Sequence, residues 1–145
     1  MKTPLRSLSV TILLTAAATL VLAQIGSEYK PKFPGDPARS EAEAGAMGYM
    51  RVVVNAQKNY SRKHNGQYAI SLVALVGQGS FTKRMVNPNR GDYTVKFKGN
   101  TKDYSLWLTP NVISPTERAF FVDDSGVIKA EEDKQASAES PKVTP

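Results

Sequence analysis

Apolar and polar positions recur along this chain with two different periods, and the change from one to the other divides it. Over residues 38–64, apolar or small side chains return at Ala42, Ala46, Tyr49 and Met50, Val53, Ala56, Tyr60 and His64, close to the 3.6-residue repeat of a helix. Arg51, Lys58, Arg62 and Lys63 fall mostly between these positions and form the wet face. Asn65-Gly66 ends the helix, because glycine accepts the left-handed backbone that a Cβ resists. The first half, AEAGAMG, is the weaker helix former.

Beyond a short extended link at residues 67–69, SLVALV (residues 71–76) is a compact apolar turn of helix or strand, closed by Gly77 and Gly79. Residues 83–92 run through Pro88 and Gly91 as an irregular loop. The period then becomes two. Tyr93, Val95 and Phe97 share one side and Thr94, Lys96 and Lys98 the other. After the turn at residues 99–103, Tyr104, Leu106 and Leu108 oppose Ser105, Trp107 and Thr109. A loop at residues 110–118 leads to AFFVD (residues 119–123), and the DDSG turn (residues 123–126) leads to Val127-Ile128-Lys129. One helix followed by short-connected strands predicts an α+β domain, the helix laid on an antiparallel meander of three to four strands. Val53, Tyr60, Tyr68, Tyr93, Leu106 and Phe121 are its expected core.

The two ends read differently. Residues 1–23 have Lys2 and Arg6 before an apolar run from Leu8 to Leu22, with small residues at Val21 and Ala23. That is the pattern of a cleaved export signal cut between Ala23 and Gln24, the run being shorter than the ~20 residues of a membrane span. The expected location is extracytoplasmic, periplasmic or secreted, with no membrane span after cleavage. Residues 24–37, with Pro31, Pro34, Pro37, Gly26 and Gly35, read as an extended tether. Residues 38–130 form the domain. Residues 131–145, EEDKQASAESPKVTP, lack apolar content and are expected to be disordered.

Composition narrows the chemistry. There is no cysteine, which excludes disulfides, lipobox-type lipid anchors, thiolate metal sites and cysteine nucleophiles. The formal net charge is +6. The tail sets Glu131, Glu132, Asp133 and Glu139 against Lys134 and Lys142, so the positive excess lies in the body. A basic body can attract anionic polymers, but with the charges scattered along the chain solubility is the favoured reading.

The order of several short motifs resembles the globular heads of major pseudopilins and type IV pilin-like proteins. YSRKHNGQY (residues 60–68), followed by Leu72 and Leu75, resembles the end of their long helix and the segment that docks after it. NPNRGDY (residues 87–93) resembles the loop into their first strand, and FFVDDSGVI (residues 120–128) their final hairpin. Only MKTPLRS precedes the apolar run, without the processing glycine of a prepilin. The resemblance therefore implies the head domain without the filament-forming stalk.

Candidate chemistry is sparse. His64 is the single histidine, so histidine zinc sites and most general-base dyads are unavailable, and its expected role is to meet the carbonyls that end the helix. Asp123 and Asp124 are a weak calcium candidate, since the resemblance implies calcium near the C-terminal loop of secretion-type pseudopilins. Calcium takes roughly six to eight oxygens, which this turn would need Asp92 or Asp103 to approach; a tight turn explains the pair without a metal. Most aromatics fall on the core stripe. Trp107 falls opposite Leu106 and Leu108, beside Lys96 and Lys98, and these three residues are the expected partner-binding site. No cofactor is implied. The expected function is an exported, non-enzymatic domain acting through an envelope protein partner; the alternative is a soluble binding module for anionic polymers such as nucleic acid, envelope polysaccharide or lipid head groups.

Overall fold

The computed structural model describes residues 28–144. The export-signal pattern lies outside them, and residues 28–37 of the expected tether fall within them. Helix α1, Glu41–Lys63, lies against a five-stranded antiparallel sheet: β1 (Asn89–Arg90), β2 (Tyr93–Gly99), β3 (Tyr104–Pro110), β4 (Ala119–Asp123) and β5 (Lys129–Glu131), in chain order across the sheet. The α+β class is as the two periods predict. The sheet is larger than expected because NPNR, read as part of a loop, supplies the two-residue β1.

Helix α1 starts three residues later than the expected range of residues 38–64. Ser40 takes extended backbone and its hydroxyl accepts the Glu43 N–H at 3.1 Å, a side-chain N-cap. At the other end Gly66, at φ 84°, donates its N–H to the Ser61 carbonyl at 2.9 Å and turns the chain off the helix. His64 takes its expected place, with Nδ1 2.8 Å from the Tyr60 carbonyl and its ring stacked on Tyr60 at 3.7 Å.

The buried stripe of α1 is wider than the repeat suggests. Glu43, Ala46, Met47, Tyr49, Met50, Val53, Val54, Ala56 and Gln57 are all covered. They meet the sheet face formed by Tyr93, Val95, Leu106, Leu108, Phe120, Val122 and Ala130. Leu75 and Phe81 close the core from the segment after the helix, where Val73–Leu75 and Lys83–Val86 are short 3-10 turns. Of the expected core, Val53, Tyr93 and Leu106 are buried here, whereas Tyr60 and Tyr68 are half-buried. Phe121 is buried on the other side of the sheet.

Two end segments pack rather than hang free. Asp36 accepts hydrogen bonds from the Tyr29 hydroxyl at 2.5 Å and from the N–H groups of Lys32 and Ala38, and Tyr29 rests on the core, so residues 28–37 fold back instead of acting as a spacer. The tail, expected to be disordered, is ordered. Ala130 N–H donates to the Pro141 carbonyl at 2.9 Å and Val143 N–H to the Ile128 carbonyl at 3.0 Å, which covers the outer side of β5. The physical reason is that edge-strand hydrogen bonds and two apolar residues, Ala136 on the outer cluster and Val143 on the main core, suffice to hold a segment whose composition alone offers no core.

Candidate functional site

Register decides where the three expected site residues stand. Lys96 pairs directly with Trp107 and Lys98 with Ser105, so all three side chains occupy the outer face, turned away from α1. Lys96 Nζ lies 5.5 Å from the centre of the Trp107 ring. The face is as expected, but the tryptophan is not a bare anchor. Trp107 packs on Phe121, ring centres 5.4 Å apart, in a second apolar cluster with Ala119, Ile113 and Ala136. Ala136 comes from the tail and is 1% exposed. A hydrogen bond from Thr109 Oγ1 to Gln135 Oε1, 2.9 Å, holds the same crossing. Packing therefore accounts for the tryptophan, and what remains open on the outer face is the lysine pair. Both sides of β4 are covered as a result, which hides its alternation.

The Asp123-Asp124 turn is held by its own hydrogen bonds. Asp123 Oδ1 accepts from both the backbone N–H and the hydroxyl of Ser125, and Gly126 N–H donates to the Asp123 carbonyl at 2.9 Å. Asp103 serves another turn, accepting from the Asn100 side chain. Among the described residues, no group of three or more metal-ligating side chains comes together.

Two polar networks escaped the sequence reading. The Glu43 carboxylate, fully buried, accepts Arg118 Nε at 2.9 Å and Nη2 at 2.7 Å. It also accepts the backbone N–H groups of Arg118 and Arg39, each at 2.9 Å. Arg118 Nη2 reaches on to the Pro37 carbonyl at 2.8 Å. The signal was present in Ser40-x-x-Glu43, a capping-box spacing ahead of an apolar run. Gln57 is the second case. Its side chain donates to the Ala69 carbonyl at 3.0 Å and accepts the Ala69 N–H at 2.9 Å, pinning the segment after the helix. The signal was its spacing, four residues after Val53 and seven after Met50, which puts Gln57 on the apolar stripe of the helix.

Burial also sets the tyrosines. Tyr49 is pushed up to about 12 by desolvation, partly opposed by the Arg90 guanidinium 4.6 Å from its ring centre, and its hydroxyl donates to the Met85 carbonyl. Desolvation raises Tyr93 and Tyr104 in the same direction. Tyr29 is raised to about 12 through its hydrogen bond to Asp36, and the same bond holds Asp36 below the ordinary carboxylate value.

Apolar surface is concentrated after the helix. Ile70, Val73 and Val76 are exposed, and Val73, Val76, Lys83 and Val86 line a shallow groove. No helix among the described residues is long and apolar enough to cross a membrane. Comparison with models of protein families, with curated proteins and with solved structures returns no match to this chain.

Proposed function

We propose that this chain is an exported, non-enzymatic, pilin-like head domain that works through contacts with another protein of the cell envelope. The observation that carries the reading is how polar and apolar groups are divided. The buried ionic and amide groups, Glu43, Arg118 and Gln57, are consumed in holding α1 to its surroundings, while exposed Val73 and Val76 line an apolar groove with Val86, and Ile70 is exposed three residues earlier in the chain. Side chains tied to backbone partners maintain shape, and clustered exposed apolar residues are characteristic of protein-contact surfaces. The anionic-polymer reading keeps Lys96 and Lys98, but the aromatic platform it would use is partly taken up by packing on Phe121 and Ala136.

Expression with the native leader tests the reading. The exported product should begin at Gln24 and, after cross-linking in intact cells, should join one discrete envelope protein. A product retaining Met1, or retention on an anionic column with no cross-linked protein, would defeat it.

A further inference from the structure

Strand β2 carries an open edge. The hydrogen bonds from Asn111 N–H to the Asp92 carbonyl and from Asn100 N–H to the Asp103 carbonyl, both 2.9 Å, bracket the β2–β3 ladder and set its phase. Even-numbered residues of β2 therefore exchange bonds with β3, and odd-numbered ones direct their N–H and C=O groups the other way. On that side Tyr93 pairs with Arg90 of β1, and Val95 N–H donates to the Pro88 carbonyl at 2.7 Å. The cover ends there. The carbonyl of Val95, both backbone groups of Phe97 and the N–H of Gly99 have no backbone partner on that side among the described residues.

The side chains flanking this edge are sorted by face. Lys96 and Lys98 stand exposed on the outer face. On the helix side, the Ala69 carbonyl lies 2.9 Å from where a Cβ on Gly99 would sit, which brings exposed Ile70 to one end of the open stretch. Pro88, bonded to Val95, brings Val86 and its groove with Val73 and Val76 to the other end.

We infer that this edge receives an extended segment of a partner protein in which apolar residues alternate with acidic ones, added as a further strand beside β2. The inference rests on the reading that the domain acts through protein contacts. Backbone bonds to Phe97 and its neighbours hold such a segment, and alternate side chains select it. Its outward residues meet Lys96 and Lys98, and its inward residues meet the apolar rim. The two lysines repel the same edge of a second copy, which protects the strand from self-pairing and favours an acidic partner.

A capped heptapeptide alternating valine and glutamate, added to the full chain, tests this directly. It should slow hydrogen exchange at the Phe97 and Gly99 amides, and a lysine-for-glutamate counterpart should bind about tenfold more weakly. The pair Lys96→Glu and Lys98→Glu should reverse that preference. Unchanged exchange at millimolar peptide, equal binding after N-methylation of the peptide backbone, or concentration-dependent self-association that protects Phe97 without peptide would each overturn the inference. The assay needs no natural partner. Failure to cross-link an envelope protein would defeat the broader reading and leave the edge standing; a captured partner that leaves Phe97 unprotected would defeat the edge alone.

Discussion

Glu43 and Arg118 lie 75 positions apart in the chain and meet in a two-pronged ion pair, with the carboxylate wholly buried and the arginine side chain 8% exposed. One side chain starts α1 and the other enters β4, so the pair fastens the helix to the far half of the sheet. Arg118 also lies over the Phe120 ring and reaches the Pro37 carbonyl. The segment before the helix is thereby tied to the same point.

Removing one partner strands the other. Glu43→Gln should lower unfolding free energy by about 3–5 kcal/mol, the usual cost of leaving one member of a buried pair uncompensated. Adding Arg118→Met should recover part of the loss and not all of it, because Glu43 also accepts the N–H groups of Arg39 and Arg118. Urea unfolding of the two variants measures both effects; full recovery in the double variant would mean that those backbone bonds contribute nothing.

Gln57 and Gly99 converge on Ala69. Gln57→Leu keeps the volume but leaves the Ala69 N–H and C=O unpaired, a cost of about 1–3 kcal/mol for each group. Gly99→Ala would place a Cβ 2.9 Å from the same carbonyl and from the Phe97 ring. Crowding against backbone should cost about 1–3 kcal/mol. Thermal unfolding of both variants checks the expectation, and the hydrogen exchange of Ala69 should accelerate in Gln57→Leu.

Alkaline pH should destabilise the fold through Tyr49. An unfolded tyrosine ionises near 10, whereas folded Tyr49 holds its proton to about 12. The unfolded state thus loses protons first, and stability falls as pH rises from about 10 towards 12. Below 10 the contribution is complete. Tyr49→Phe should cost about 0.5–1.5 kcal/mol near neutrality, through the lost bond to the Met85 carbonyl, and should flatten the alkaline decline. Denaturant midpoints from pH 8 to 12 would show both effects.

Trp107 reports on the tail. Ala136→Glu would force a charge into the cluster with Ala119, Phe121 and Trp107 and should detach residues 132–140 from the outer face. Tryptophan fluorescence should shift to longer wavelength and the tail should become protease-sensitive, while the core between α1 and the sheet persists. Trp107→Ala should cost about 1–3 kcal/mol, below the range for a fully enclosed aromatic because this ring is half-exposed. A silent Trp107→Ala variant would place the tail off the ring.

The sequence by itself determined the class of fold, the face of each strand in β2 and β3, and the end of the helix. Those properties are local: a period of 3.6 or 2 reports backbone geometry, and Gly66 reports a conformation that a side chain would strain. It placed Lys96, Lys98 and Trp107 on one face for the same reason. Tertiary structure decided what each face meets. Trp107 and Phe121 are covered because Ala136 arrives from the tail, Glu43 finds its partner because Arg118 arrives just before β4, and Gln57 finds its own in the Ala69 backbone. Pairing depends on which distant segment the folded chain delivers; periodicity in a window of neighbours gives the face of a residue and not its partner.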